Sequence, residues 1–246
     1  MDQCSTITRG SPHLPPLIFY HGFMGAKEDW MDMLPFFEKR YHCIALDLPG
    51  HGATPYCEGI LATLKAAVIM HTKPILIGYS MGGRIALQLQ QSASAVVALS
   101  AHPGLTDEKE REARMKMDEA WGEKLLHFPF AEFLEQWYAQ PIFQDLQNKP
   151  ALLQNILNKR MHQNPLALAQ VIKQLSLATL PVVASFSCPT LFIHGEEDLK
   201  YRELYAKLPK TVSVRGIKDC GHMVHLEKPQ ESAQHILNWL GSHANT

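Results

Sequence analysis

The chain has 246 residues, of which 46% are hydrophobic and 19% charged, so it is long enough to bury a core without disulfides or metal ions. Its formal net charge of -1 lacks the basic excess that binding to nucleic acid or an anionic membrane needs. The five cysteines are an odd number without a Cys-x-x-Cys pair, which favours reduced thiols. Because no signal peptide or membrane-spanning apolar run is visible, we expect a cytoplasmic protein without membrane insertion.

Short apolar runs followed by polar residues or glycine predict buried parallel strands. In chain order they are Pro16–Tyr20, Cys43–Asp47, Pro74–Gly78, Ala95–Leu99 and Thr190–His194, with a weaker case at Val212–Val214. Helical patterns alternate with them at Trp30–Phe37, Ile60–His71, Met81–Gln91, Arg202–Leu208 and Pro229–Leu240. This alternation predicts an α/β fold with a mostly parallel sheet flanked by helices, which binds ligands at the carboxyl ends of its strands.

Residues 106–185 interrupt the alternation, because they contain helical patterns and no strand. The candidate helices are Asp107–Trp121, Ala131–Tyr138, Ala151–Met161 and Ala167–Leu177. We interpret residues 106–185 as a helical cap over the strand ends. Residues 1–105 and 186–246 then form the α/β core.

A candidate nucleophile lies in the segment Gly78-Tyr79-Ser80-Met81-Gly82, which follows a strand and opens a helix. This is the context of the Gly-x-Ser-x-Gly elbow, in which small residues let strand and helix crowd together while the serine projects above the sheet. An ordinary turn with a capping serine is the alternative interpretation. We predict that Ser80 is catalytic.

A serine hydroxyl needs an adjacent base, and in this architecture the acid and then the histidine follow the serine along the chain. His222 comes just after the last predicted strand and is the expected base, with His225 as its nearest rival. Asp198 follows the penultimate strand and is the expected acid, with Glu197 as the poorer alternative.

His21-Gly22-Phe23 follows the first strand and has the form of an oxyanion loop. We therefore expect the backbone N–H groups of Phe23 and Met81 to stabilise an oxyanion. The two histidines of His222-x-x-His225 lack the spacing of a helical zinc site, and no cysteine pair supports one. We expect neither a metal ion nor another cofactor.

Taken together, these residues resemble the α/β-hydrolase superfamily from Leu17 to Leu240. Within it, the chain is similar to the 2-succinyl-6-hydroxy-2,4-cyclohexadiene-1-carboxylate synthases of menaquinone biosynthesis (the MenH type). The segments that carry this closer resemblance are His21-Gly22-Phe23, Asp47–Gly52, Gly78–Arg84, His102-Pro103-Gly104-Leu105, Arg111-x-x-Arg114 and Trp137–Phe143. Arg84 after the double glycine, the His-Pro-Gly-Leu segment and the Trp-Tyr-x-Gln-Pro-x-Phe segment discriminate best, because esterases share the other motifs.

The resemblance implies a lyase that removes pyruvate from a cyclohexene tricarboxylate by proton abstraction. Its small-molecule substrate would be bound by residues of the pocket and the cap, namely Arg84, Arg114, Arg160, Tyr79, Trp137 and His21. Guanidinium groups suit carboxylates because they donate two parallel hydrogen bonds. Arg114 could instead pair with neighbouring acidic residues on its own helix, and aligning Arg160 needs a short insertion.

Two other functions fit the same motifs. A serine carboxylesterase or a C–C bond hydrolase would use the same triad, but in a mainly apolar pocket. A non-catalytic binding protein is less consistent with an intact triad. We expect a monomer or a small homo-oligomer.

Overall fold

The computed structural model describes residues 4–243, and the strands in that range form a single sheet. The strands are β1 Thr6–Arg9, β2 Pro16–Tyr20, β3 His42–Leu46, β4 Ile75–Tyr79, β5 Ala95–Leu99, β6 Thr190–Gly195 and β7 Ser213–Ile217. Their order across the sheet is β1-β3-β2-β4-β5-β6-β7. β1 runs antiparallel to β3, and every other neighbouring pair is parallel. The α/β fold predicted from the sequence is therefore confirmed.

Helices connect the parallel strands. They are α1 Leu34–Phe37, α2 Ile60–Ile69, α3 Met81–Gln88, α4 Glu108–His127, α5 Phe130–Tyr138, α6 Pro150–Arg160, α7 Pro165–Gln174, α8 Leu199–Ala206, α9 Val224–Glu227 and α10 Pro229–His243. Short 3₁₀ segments occur at Lys27–Trp30, Gln90–Ser92 and Pro141–Asn148. None of the helices within residues 4–243 is long and apolar enough to cross a membrane.

Two helix predictions differ from the structure in a way that matters for the site. The stretch 30–37 is not one helix, because a 3₁₀ turn ends at Trp30 before α1 begins at Leu34. α8 begins at Leu199 rather than at Arg202, because the side chain of Asp198 accepts a hydrogen bond from the N–H of Tyr201 and caps the helix.

The central strands are apolar on both faces because helices cover both sides of the sheet. In β2, Leu17 and Phe19 pack into the core on one face, whereas Ile18 and Tyr20 pack into the core on the other. All four side chains are at most 1% exposed. This burial gives the sheet a fixed carboxyl edge on which side chains from several strands can meet.

Helices α4–α7 lie between β5 and β6, and α4 packs against α7. α4 begins where Asp107 accepts a hydrogen bond from the N–H of Glu110. The sequence predicts helices and no strand in residues 106–185. The structure describes all of these residues and agrees with the prediction. Side chains of these helices line the cavity described below, and the division into core and cap stays an interpretation.

Candidate active site

Ser80 stands at the tight turn between β4 and α3. Its backbone adopts φ 50° and ψ −110°, a conformation that L-residues rarely occupy, and its N–H donates to the carbonyl of Leu99 at 2.8 Å. A Cβ on Gly82 would lie 2.2 Å from the carbonyl oxygen of Tyr20, and one on Gly78 would lie 2.2 Å from that of Gly82. The two glycines are therefore needed for the strand and helix to approach each other and to present the serine at the sheet edge.

The structure brings Ser80, His222 and Asp198 together. Nδ1 of His222 lies 2.6 Å from Oδ2 of Asp198, and Nε2 lies 3.4 Å from Oγ of Ser80. With the Nδ1 proton donated to the carboxylate, Nε2 is free to accept the serine proton. Asp198 and His222 are only 5% and 3% exposed, so water competes little for these contacts. The arrangement is that of a hydroxyl with an oriented base.

The two alternatives for the base and the acid lie elsewhere. Glu197 is exposed, and the carboxylate that meets the imidazole of His222 belongs to Asp198. His225 is fully buried, with its ring 4.8 Å from Trp30 and 4.2 Å from Tyr79. Burial lowers the pKa of His225 to about 3. A neutral imidazole enclosed by aromatic rings does not reach the serine.

A buried carboxylate that was not predicted from the sequence holds the loop of His222. Glu227 accepts hydrogen bonds from the N–H groups of Gly221 at 2.8 Å and Met223 at 2.9 Å, on either side of the histidine. Its side chain is 1% exposed and pairs with Nζ of Lys149 at 2.5 Å. The position of His222 therefore depends on Glu227. The only sequence signal was an acidic residue five positions after the histidine, which is too common a pattern to be informative.

A cavity of about 320 Å³ opens above Ser80 and His222. Aromatic and aliphatic side chains make up much of its wall, with cations along another part. Its lining residues are Phe23, Ser80, Met81, Arg84, Arg114, Met117, Asp118, Trp121, Trp137, Gln140, Pro141, Ile142, Phe143, Ile172, Leu175, Leu177, Lys200, Tyr201 and His222. The cavity can enclose a small molecule that has both an apolar body and negative charges.

Both predicted oxyanion donors lie at this cavity. Phe23 and Met81 are among its lining residues, together with Ser80. Met81 is the first residue of α3, so its N–H has no partner within the helix and points out of the helix N-terminus. Phe23 lies within a turn in which the N–H of Gly25 donates to the carbonyl of Gly22 at 2.9 Å. The placement suits an oxyanion that forms next to the serine.

Three of the predicted substrate-binding residues line the cavity: Arg84, Arg114 and Trp137. Nη1 of Arg84 donates to the carbonyl of Leu175 at 3.0 Å, and burial together with the charge of Arg114 lowers the pKa of Arg84 to about 10. Nε of Arg114 lies 2.9 and 2.8 Å from the two carboxylate oxygens of Asp118. Arg114 therefore forms an ion pair with an acidic residue of its own helix, which the sequence offered as its alternative role. Among the described residues, no hydrogen-bond partner is found for its terminal NH₂ groups.

The structure places Arg160 away from the cavity, which corrects the expectation that it binds substrate. Its guanidinium donates to both carboxylate oxygens of Asp29, at 2.9 and 2.6 Å, and lies 3.4 Å from the hydroxyl of Tyr138. Both side chains of the Arg160–Asp29 pair are 2% exposed. Because a buried arginine needs a counter-charge, its donors are used inside the protein rather than for a ligand.

His21 and Tyr79 are not among the residues that line the cavity, and their assignment to substrate contact stays a prediction from the resemblance. Nε2 of the fully buried His21 accepts from the N–H of Leu48 at 2.9 Å, and Nδ1 donates to the carbonyl of Gly22 at 2.7 Å. The ring of Tyr79 packs between His225 and His222, with centroids 4.2 and 5.3 Å away. His21 therefore holds the backbone of two neighbouring loops, and Tyr79 packs against the histidine rings under the site.

Lys200 and Tyr201, which were not predicted from the sequence, line the cavity from the first turn of α8. The signal was present, because the two residues lie two and three positions after Asp198 and an aspartate is a strong helix cap. The helix predicted from the sequence begins only at Arg202, so the prediction leaves both residues in a loop. Across residues 4–243, no three His, Cys, Asp or Glu side chains cluster in a way that could hold a metal ion.

Comparisons with known proteins agree with this arrangement. The family described as "Alpha/beta hydrolase family" matches residues 17–235. The chain is 32% identical over 237 residues to the 2-succinyl-6-hydroxy-2,4-cyclohexadiene-1-carboxylate synthase of Salmonella paratyphi A, covering 89% of this chain and 91% of that protein. The enzyme of the same name from Salmonella schwarzengrund is 31% identical over the same shares.

Solved structures extend the comparison to the whole fold. A structure described as MenH from S. aureus matches with a TM-score of 0.91 and 26% identity, covering 100% of both chains. A thermophilic esterase from Thermogutta terrifontis shares the fold with a TM-score of 0.78 and 19% identity, over 97% of this chain and 93% of that one. The chain belongs to the alpha/beta hydrolase family and, within it, to the family of the 2-succinyl-6-hydroxy-2,4-cyclohexadiene-1-carboxylate synthases.

Proposed function

We propose that this protein is a carbon–oxygen lyase of menaquinone biosynthesis. It eliminates pyruvate from 2-succinyl-5-enolpyruvyl-6-hydroxy-3-cyclohexene-1-carboxylate and leaves 2-succinyl-6-hydroxy-2,4-cyclohexadiene-1-carboxylate. The observation that carries the proposal is a serine–histidine–aspartate arrangement at the floor of a cavity that also presents Arg84 and Arg114. The relatives named after this reaction support it.

In the proposed mechanism, Ser80 and His222 remove the ring proton at C2, next to the succinyl carbonyl. Nε2 of His222 takes the hydroxyl proton, and the serine oxygen takes the proton from carbon. The 3.4 Å separation of Oγ and Nε2 is long for a hydrogen bond, and such contacts shorten when substrate binds. Asp198 keeps the imidazole in the correct tautomer and stabilises its charged form.

The electron pair released at C2 first moves onto the succinyl carbonyl oxygen, giving an enolate. The N–H groups of Phe23 and Met81 would donate to this oxygen, and positioned donors of this kind typically contribute about 10²–10³ in rate. The pair then forms the C2–C3 double bond while the C3–C4 double bond shifts to C4–C5. The C5–O bond breaks, and the enolpyruvate that leaves takes at its methylene carbon the equivalent of the proton that His222 received, which gives pyruvate and restores the neutral imidazole.

A hydrolase with the same triad is the alternative function. An esterase or a C–C bond hydrolase needs a pocket for a largely apolar substrate, whereas this cavity has three cations and one carboxylate in its lining. The charge balance therefore favours a polyanionic substrate. A non-catalytic binding protein is disfavoured because the triad members are mutually oriented.

The test supplies the enolpyruvyl cyclohexene and measures pyruvate with a coupled dehydrogenase, with a short-chain nitrophenyl ester run in parallel. We expect the wild-type chain to release pyruvate and Ser80→Ala to lose at least about a thousandfold in kcat. Ser92→Ala, a serine substitution outside the cavity, should keep the wild-type rate. Rapid ester cleavage without pyruvate would instead establish the hydrolase.

The substrate class follows from this function, namely a small molecule with several carboxylates. A cytoplasmic location, independence from cofactors, the absence of nucleic-acid partners and a monomeric or small homo-oligomeric state stay predictions of the sequence. The cap and core division, with residues 106–185 above the sheet edge, also belongs to the proposal. It is supported by Arg114 and Trp137, which come from this stretch and line the cavity.

A further inference from the structure

The cavity holds more positive than negative charge. Arg84 from α3, Arg114 from α4 and Lys200 from α8 line it, against one lining carboxylate, that of Asp118. Asp118 already accepts from Nε of Arg114 and, at 2.7 Å, from the hydroxyl of Ser176. The charge of Asp118 is therefore neutralised by Arg114. Arg84 and Lys200 have no carboxylate partner among the residues that line the cavity.

Lys200 differs from the two cavity arginines, each of which has a hydrogen-bond partner within the protein. Among residues 4–243, no carboxylate oxygen lies within 4.0 Å of its Nζ, and no hydrogen bond to it is found. The acid two positions earlier, Asp198, uses its carboxylate on His222 and on the N–H of Tyr201. The ammonium group can therefore form its hydrogen bonds with a ligand.

The neighbours of Lys200 also disfavour its charge. Burial, the charge of Arg114 and that of Arg84 lower the pKa of Lys200, and Asp198 opposes this only in part. Lys200 and these arginines in turn contribute, after burial, to lowering the pKa of His102 to about 4. An anion bound among the three cations would relieve this mutual repulsion, which makes the cluster a receptor for negative charge.

The proposed substrate carries three carboxylates: one on the ring, one at the end of the succinyl chain and one on the enolpyruvyl group. The family resemblance assigned three arginines to them, but the guanidinium of Arg160 is used by Asp29. We propose that Lys200 is the third carboxylate-binding cation of the cavity, acting with Arg84 and Arg114. This inference rests on the proposed function for the identity of the substrate.

The position of Lys200 suits this role. It is the second residue of α8, directly followed by Tyr201, whose ring lies 5.1 Å from that of His222. The helix start that Asp198 caps therefore directs both residues to the cavity beside the triad. The Lys200 side chain is only partly enclosed by protein, and its flexible four-carbon stem lets the ammonium group follow a carboxylate at the rim of the cavity.

The experiment compares Lys200→Gln and Lys200→Arg with the wild-type chain in the pyruvate-release assay. We expect Lys200→Gln to raise KM about tenfold, the value of one charge-assisted hydrogen bond, and to change kcat less than about threefold. Lys200→Arg should recover part of the loss because it keeps the charge. The matched control Lys207→Gln removes an exposed lysine at the opposite end of α8, outside the cavity, and should keep the wild-type KM.

Binding of propane-1,2,3-tricarboxylate, measured by titration calorimetry, separates this inference from the proposed function. Weaker binding to Lys200→Gln than to wild type and Lys207→Gln supports the inference. If the wild type releases pyruvate, equal binding to all three chains together with a wild-type KM for Lys200→Gln overturns it. A wild-type chain that releases no pyruvate refutes the proposed function, and the calorimetric comparison then still decides whether Lys200 binds carboxylates.

Discussion

Replacing Arg160 by methionine removes one member of a buried ion pair and leaves the carboxylate of Asp29 without a counter-charge. Both side chains are 2% exposed, and two short hydrogen bonds join them. Breaking such a pair on one side costs about 3–5 kcal/mol of stability, because the remaining charge stays buried. For a chain of this size we expect the melting temperature to fall by roughly 6–20 °C.

The loss should depend on pH. Burial alone would raise the pKa of Asp29, but the charge and hydrogen bonds of Arg160 outweigh it and hold the pKa below its ordinary value. In the wild type this depressed pKa stabilises the fold above the ordinary carboxyl range, and the contribution is lost as the pH falls through it. Without Arg160, burial raises the pKa of Asp29. The difference in stability between variant and wild type should therefore shrink as the pH falls and the carboxyl becomes neutral.

Urea denaturation followed by circular dichroism measures the effect at several pH values. The double variant Asp29→Asn with Arg160→Met should recover most of the loss, because no unpaired charge remains. Arg9→Met, at an exposed position of the edge strand β1, should change stability by less than about 0.5 kcal/mol. If Arg160→Met unfolds like the wild type but raises KM, the arginine binds substrate and our interpretation of the buried pair is wrong.

Two further substitutions test the site. Arg84→Ala should raise KM about tenfold or more while kcat changes less, because a cavity cation is lost and the triad is untouched. Steady-state pyruvate release measures both constants. A wild-type KM would contradict the assignment of Arg84 to substrate binding. Glu227→Gln should lower kcat about tenfold with little change in KM, because one of the two N–H groups that flank His222 loses its acceptor. Glu203→Gln, an exposed change on α8, is its control, and an unchanged kcat would show that the loop holds His222 without the carboxylate.

Much of the fold and the triad could be predicted from the sequence because both have local signals. A buried strand such as β4 is a continuous apolar run, and the Ser80 elbow needs glycines within two residues of the serine. The edge strand β1 has a polar, mostly exposed pattern, so it could not be told from a loop. Once the strands are predicted correctly, the architecture indicates which loops carry the serine, the acid and the histidine, in that order along the chain.

The residues around the triad were harder to predict because their partners are distant along the chain. The partner of Arg160 lies 131 positions earlier, so neither periodicity nor a motif reveals the pair. The sequence resemblance assigned the arginine a ligand, whereas the three-dimensional packing assigns it a protein partner. Lys200 was missed for a local reason, since an error of three residues in the start of α8 moved it from the cavity wall to a loop.

The three cavity cations come from helices that are far apart in the sequence: Arg84 in α3, Arg114 in α4 and Lys200 in α8. A polyanion that contacts all three joins these helices and binds the folded chain in preference to the unfolded one. By thermodynamic linkage, its saturation at a hundred times Kd would raise the free energy of unfolding by about 2.7 kcal/mol. The enzyme is therefore most resistant to heat when its substrate is abundant, and a simple melting curve can report ligand occupancy.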